Sequence, residues 1–315
     1  MTGVPAVAPG PGAAAGRLPT GRRRGLSLGA RRARWAWSAL AVPLAFYGGL
    51  RFYPTVDAFL LSLTDWNIVG ARRFVGLANY RRLLADPLFW TVLGNTVRYL
   101  VVGVTVSLAL AFLVAYHLDR VRRGHAVLRA LYFVPHITTP VAMAWVWRWF
   151  YQPVPVGLLN GILVGLGLPQ QPFLRSTEQA LYAVLAPAAW AGLGFQVVIF
   201  LAGLKAIPVE YYEAAGLDGA GRWRLLRHIT LPLLRPTIAF LVVVSSIAFL
   251  RIFDYVYSMT GGQGGPLDST KPLVLKIYET AFGHFEMGYA AAQTVVLFVI
   301  LLTVSLVQMR LLRAR

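Results

Sequence analysis

Glu213, Ala214 and Ala215 place one carboxylate and two small side chains on a single expected helical turn. That combination suits docking rather than bond-making. Small side chains let a second surface approach the backbone, and the charge supplies a polar contact. Around them the chain runs from Lys205-Ala206-Ile207-Pro208 through Gly216, Gly219 and Gly221 to Leu231-Pro232. Pro208 suits the first position of a helix and Glu210 its positive end, so a helix is expected over about 208–216. The three glycines then supply a tight break, a second short helix follows, and Pro232 and Pro236 mark the start of the next apolar block. An amphipathic helix lying on lipid headgroups is the competing reading, and composition alone does not separate the two.

Other reaction chemistries lack their residues. No GxxxxGK[ST] phosphate loop occurs, and Gly261-Gly262-Gln263-Gly264-Gly265 lacks the Lys-Ser/Thr that would follow. The chain is therefore not expected to hydrolyse ATP. His117, His125, His136, His228 and His284 show no metal-ligand spacing, and cysteine is absent, so no metal site, thiol nucleophile or disulfide is expected. No paired carboxylates occur within the apolar blocks, and the one GxSxG match, Gly25-Leu26-Ser27-Leu28-Gly29, falls in the basic Gly- and Arg-rich tail, so no catalytic residue is assigned. Asp57 and Asp254 are the only acids within apolar blocks, too few for a self-powered secondary transporter. Polar and aromatic groups on the fourth and fifth blocks are candidates for a solute path: Trp190, Gly192, Phe195 and Gln196, with Ser245, Phe249 and Asp254. Aromatic faces stack on sugars, while amides and hydroxyls bond sugar hydroxyls. Ordinary helix packing is the alternative for each.

These residues need a scaffold, and the composition points to a lipid one. Of the 315 residues 57% are hydrophobic, and they fall in long blocks rather than at core periodicity. Six blocks are long enough to span a bilayer, at about 37–62, 93–116, 127–150, 180–203, 237–258 and 288–309. The chain is expected to be an all-α membrane protein with an uncleaved first helix. The first block is imperfect, since it holds Pro43, Arg51 and Asp57; Arg148 and Arg251 fit helix-end anchors. Residues 1–34, rich in Gly, Pro, Ala and Arg, read as a disordered basic cytoplasmic tail, leaving 35–315 as the transmembrane domain.

The net charge of +18 first suggests nucleic acid, but the basic residues cluster at block edges instead of along one face, so no nucleic-acid partner is expected. With the N-terminus inside, nineteen Lys and Arg fall on inner segments: seven in the tail, Arg120, Arg122, Arg123, Arg129, Lys205, Arg222, Arg224, Arg227, Arg235, Arg310, Arg313 and Arg315. Seven fall outside: Arg72, Arg73, Arg81, Arg82, Arg175, Lys271 and Lys276. The bias puts both termini and residues 205–235 in the cytoplasm of a cell membrane protein.

Glu213-Ala214-Ala215, three residues, Gly219, nine residues, Ile229, one residue and Leu231-Pro232 resemble the EAA motif of binding-protein-dependent ABC importer permeases. Phe74-Val75-Gly76-Leu77-Ala78-Asn79-Tyr80, Asn95-Thr96, Gly157-Leu158-Leu159-Asn160, Thr260-Gly261-Gly262 through Gly265-Pro266 and Thr270, and Gly288-Tyr289-Ala290-Ala291-Ala292 resemble the maltose- and glycerol-phosphate-type sugar permeases. The resemblance covers about residues 37–309, with extra residues in the Thr260 loop. It implies the six-helix type I (MetI-like) importer permease fold. It also implies a docking role for Glu213, Ala214, Ala215, Asp218, Gly219, Leu231 and Pro232, with Glu213 as the polar contact and Gly219 as the turn. The implied partners are a second homologous permease, an ABC ATPase dimer, an extracellular solute-binding protein and a sugar-like solute. ATP and Mg would belong to the ATPase, with no cofactor on this chain. A non-transport membrane enzyme or scaffold carrying the same motif is the alternative.

Overall fold

The computed structural model describes residue 3, residues 28–119 and residues 125–313. Most of the expected tail lies outside these residues, as do Arg120, Arg122, Arg123 and Arg315; residues 28–34, also expected as tail, are helical. The chain divides into two compact units, residues 1–54 and 55–315.

In the first unit α1 (Leu28–Tyr47) buries none of its residues and turns Trp35, Trp37, Val42 and Phe46 outward. The pair Gly48-Gly49 opens a π turn over Gly48–Phe52, and α geometry resumes in α2 (Tyr53–Leu61). A short hairpin follows, β1 (Thr64–Asp65) antiparallel to β2 (Arg73–Phe74). Then come α3 (Ala78–Ala85) and α4 (Pro87–Leu118), the latter started by Pro87 and by Asp86, whose carboxylate accepts from Leu88 N at 2.9 Å. The chain continues through α5 (His125–Ile137), α6 (Pro140–Phe150), α7 (Leu158–Gly165), α8 (Ala180–Lys205), α9 (Glu210–Leu217), α10 (Arg222–Leu225), α11 (Leu231–Leu233), α12 (Arg235–Leu250), α13 (Asp254–Thr260), α14 (Leu273–Tyr278) and α15 (Met287–Arg313).

Four helical stretches among the described residues are long and apolar enough to cross a membrane: α4, α8, α12 with α13, and α15. They match the second, fourth, fifth and sixth expected spans. The first and third are not single helices. The first is interrupted by the π turn. The third breaks at Thr138-Thr139, because Pro140 drives the preceding residue out of the helical region; Thr139 sits at φ −62°, ψ 140°. Its hydroxyl then accepts from Ala142 N at 3.4 Å and starts α6.

The bundle packs through close backbone approach. At Gly194 of α8 an added Cβ would meet Tyr132 O at 2.6 Å, so only glycine lets α5 lie this near. Only 33% of the most apolar window of α4 is buried within the chain, so most of its apolar surface needs lipid or another subunit to cover it.

Several residues that carry the family resemblance are loop clamps. Asn79 Nδ2 donates to Ser62 O and Thr64 O, both at 2.9 Å, holding the hairpin against α3. Asn160 donates to Gln152 O and Gln171 O, both at 3.1 Å, and accepts from Gln171 N at 2.8 Å. Asn95 donates to Asp268 O at 2.8 Å and Lys271 O at 3.2 Å, while Thr96 Oγ1 accepts from Leu273 N at 2.9 Å. These two residues of α4 tie down the segment that links α13 to α15.

Candidate functional site

The turn around Glu213 stands out because its own chain covers so little of it. No residue of α9 is buried, and Glu213, Ala214, Asp218 and Gly219 are exposed, with Ala215 half-buried. Leu217 is 91% exposed and Trp223 69%, so apolar surface as well as charge is left open here. Such a surface is expensive to leave in water and suits a partner. Helix α9 begins at Glu210, two residues later than Pro208 was expected to start it.

Its end is a Schellman turn. Gly219 N donates to Gly216 O at 3.1 Å and Ala220 N to Ala215 O at 2.9 Å, with Gly219 at φ +72°. No atom lies within 4 Å of a Cβ built on Gly219, so glycine is required there by backbone conformation and not by crowding from this chain.

One side chain roots the turn. Tyr212 OH lies 3.1 Å from Thr230 Oγ1, and Thr230 is only 1% exposed. A cavity of about 220 Å3 lies behind it, lined by Tyr116, Leu204, Tyr212 and Thr230. Leu231 and Pro232 are half-buried at the foot of α12, next in the chain to Thr230.

A second region holds the solute-path candidates. Gly192, Phe195, Gln196, Ser245, Phe249 and Asp254 all line one cavity of about 330 Å3. Trp190 does not; its ring packs edge-on against Trp147 with centroids 5.7 Å apart. Gln196, 5% exposed, donates to Ser107 Oγ at 3.3 Å and Ser245 Oγ at 3.2 Å, while its Oε1 has no partner among the described residues. A buried acceptor without a partner is costly unless water fills the place. Phe249 is held by the absence of a side chain on α4, where a Cβ on Gly103 would meet its ring at 2.6 Å.

A family model described as binding-protein-dependent transport system inner membrane component matches residues 103–315. The chain belongs to that family. It is a membrane permease subunit of a binding-protein-dependent ABC importer, which removes the enzyme and scaffold alternative. This permease is 36% identical over 266 residues to the sn-glycerol-3-phosphate transport system permease protein of Agrobacterium fabrum, covering 84% of this chain and 89% of that one. It is 35% identical over 302 residues to the diacetylchitobiose uptake system permease protein of Streptomyces coelicolor, covering 92% and 84%. A chain of a bacterial ABC transporter that imports the acidic polysaccharide alginate shares its fold, with a TM-score of 0.78 at 21% identity over 90% of this permease and 96% of that chain.

The permease cavity also contains residues that sequence reasoning passed over. His136 of α5 stacks on Phe195 at 6.0 Å, and its Nδ1 lies 3.1 Å from Ala191 O. Phe253 and Tyr255 join Asp254 because α12 ends at Leu250 and the chain reorients before α13, with Phe253 at φ −137°, ψ −59°. No proline or glycine lies in residues 250–255 to signal this break. Arg251, read as a helix-end anchor, and Asp254 near the end of the same apolar block marked the place.

Proposed function

We propose that this permease couples ATP hydrolysis on a separate ABC ATPase to the import of a sugar or related polar solute. The observation that carries the reading is the exposed turn Glu210–Gly219, which has no fully buried residue and offers Glu213, two alanines and the outward Leu217. In this reading the turn seats in a groove of the ATPase. Glu213 makes the polar contact, Ala214 and Ala215 permit close approach, and Gly219 sets the exit angle. ATP and Mg stay on the ATPase, with no cofactor on this chain. A second homologous permease covers the apolar faces that lipid does not, and an extracellular binding protein delivers the solute.

The chain crosses the membrane six times in this account, with α1–α2 and α5–α6 as interrupted crossings beside the four long ones. Both termini and the Glu213 turn face the cytoplasm, in keeping with the positive-inside bias. The solute passes the cavity lined by Phe195, Gln196, Ser245 and Phe249, where rings stack on a sugar face. A sugar-like solute is supported by relatives named for sn-glycerol-3-phosphate, diacetylchitobiose and arabinooligosaccharides. The test is uptake by the whole importer in vesicles, with and without ATP. ATP-dependent accumulation of a solute held by the binding protein is expected; ATP-independent exchange would contradict the coupling.

A further inference from the structure

A third cavity, of about 270 Å3, opens where the end of α6, the Phe173–Arg175 turn and the end of α13 converge. Tyr151 and Met259, 7% and 2% exposed, belong to its wall. Arg148, Arg175, Gln152 and Gln263 bring polar groups to it. It brings two arginines together, whereas the inner cavity sets one, Arg251, beside Phe195, Phe249, Ile252 and Phe253.

The two arginines are the unusual feature. Arg72, Arg73, Arg82, Lys271 and Lys276, five of the seven cations expected on the outer connections, each face a carboxylate at 2.6–3.0 Å. Neither Arg148 nor Arg175 has an acid within ion-pair reach among the described residues. Arg148 lies over the Trp145 ring at 5.0 Å, which restrains its guanidinium without neutralising it. Two unpaired guanidiniums lining one cavity raise the local positive potential, which an anion relieves. Their planar forks match the oxygens of a carboxylate or phosphate. The exposed Gln263 amide, which has no side-chain hydrogen bond among the described residues, is available for a hydroxyl.

Helix α13 links this cavity to the inner one. Asp254 and Tyr255 at its start line the inner cavity, and Met259 and Thr260 at its end line the arginine cavity. Its seven residues separate the two by about 10 Å. We infer that the Arg148–Arg175 cavity is an outer subsite that receives the carboxylate or phosphate of an acidic solute before it reaches the inner cavity. The inference rests on the import reading and adds anions to its solute class.

The test uses the complete importer with its ATPase, second permease and binding protein reconstituted in vesicles. Uptake of two acidic probes, sn-glycerol 3-phosphate and a glucuronate-bearing disaccharide, is compared with uptake of neutral disaccharides. Wild type is expected to import an acidic probe. The paired change Arg148→Gln with Arg175→Gln is expected to lower that uptake roughly tenfold or more, with neutral uptake and binding-protein affinity little changed. Arg148→Lys with Arg175→Lys keeps the charge and is expected to recover part of the loss. Import of neutral probes alone by wild type would overturn the subsite and leave the import reading standing. An equal loss for acidic and neutral probes, or weakened binding-protein association, would assign the arginines to packing or docking instead. No uptake of any probe, with no stimulation of ATP hydrolysis by the binding protein, would remove the import reading itself.

Discussion

Residues 261–286 and residues 210–225 are both connections between apolar helices, and they are held in opposite ways. In the first, Lys271 and Lys276 are 7% and 8% exposed, and each reaches a carboxylate: Asp268 at 2.6 Å and Glu279 at 2.9 Å for Lys271, Asp86 at 3.0 Å for Lys276. Burial pushes the Lys271 ammonium down, but Asp268 and Glu279 more than offset it and hold it above its ordinary value. Tyr99, Asn95 and Thr96 bond the backbone of the same segment. In the second, the side-chain contacts among the described residues are Tyr212 OH on Thr230 Oγ1, Thr230 Oγ1 donating to Leu225 O at 3.4 Å and His228 Nδ1 3.1 Å from Arg224 O, and Leu217, Trp223 and Glu213 face outward. A segment whose lysines and backbone carbonyls are held from within is a structural cap, even though Ser269 Oγ and Thr270 Oγ1 are buried without a partner among the described residues. A segment that leaves charge and apolar surface open is built for another molecule.

The difference predicts which changes alter transport and which alter stability. Gly219→Asp should have the largest effect, lowering ATP-driven uptake roughly tenfold or more, as expected when a docking contact is lost. The strain at φ +72° adds about 1 kcal/mol, and nothing in the chain crowds the new side chain, so membrane insertion and thermal stability should change little. Insertion is read by fractionation and uptake in vesicles. Normal uptake would remove the docking role.

Asn95→Leu should do the reverse. It strips donors from the Asp268 and Lys271 carbonyls in a buried place and should cost about 2 kcal/mol. Thermal unfolding of the purified chain should show a lowered Tm, while association with the ATPase is preserved. An unchanged Tm would mean that the cap is held elsewhere.

The cap should also weaken in acid. Burial raises the Asp86 carboxyl, but the Lys276 hydrogen bond and charge, with the Leu88 and Phe89 amides, lower it further and leave it below its usual value. A depressed folded value means that the stabilisation is full above the unfolded carboxylate value near about 4 and is lost as pH falls through the folded one. Tm measured downward from pH 6 should therefore fall more steeply in wild type than in Asp86→Asn with Lys276→Met; parallel curves would count against the pair.

The smallest effect is expected for Tyr212→Phe, which removes one hydroxyl contact worth about 1 kcal/mol. Uptake should drop only a few-fold, with ATPase binding retained. A loss as large as that of Gly219→Asp would move the critical contact from the tip of the turn to its root.

Much of this contrast could be read before any coordinates. Uninterrupted apolar runs located α4, α8, α12–α13 and α15, because length and composition decide such spans locally. The break before Pro140 follows a local rule as well, although the third block was read as one span. Six of the seven solute-path residues share one cavity, since α8 and α12 each carry polar groups on the face they turn to it. Trp190 stands apart from that cavity against Trp147, a contact between two helices that no local pattern encodes. The clamps were legible only as resemblance: Asn95 bonds carbonyls 173 and 176 residues away, a pairing no local pattern encodes. The arginine cavity was hidden for the same reason, since Arg148, Arg175 and Gln263 come from three separate segments.

The central claim is that Glu210–Gly219 docks on the ATPase while residues 261–286 do not. The chain has no cysteine, so single cysteines report without background. Ala214→Cys and Gly261→Cys, both at exposed positions, can be introduced separately into the assembled importer and treated with a short bifunctional thiol reagent, against an ATPase carrying a cysteine in its groove. The account predicts a cross-link from Ala214→Cys whose yield changes on adding ATP, and none from Gly261→Cys. A cross-link from Gly261→Cys, or none from Ala214→Cys in an importer that still transports, would contradict it.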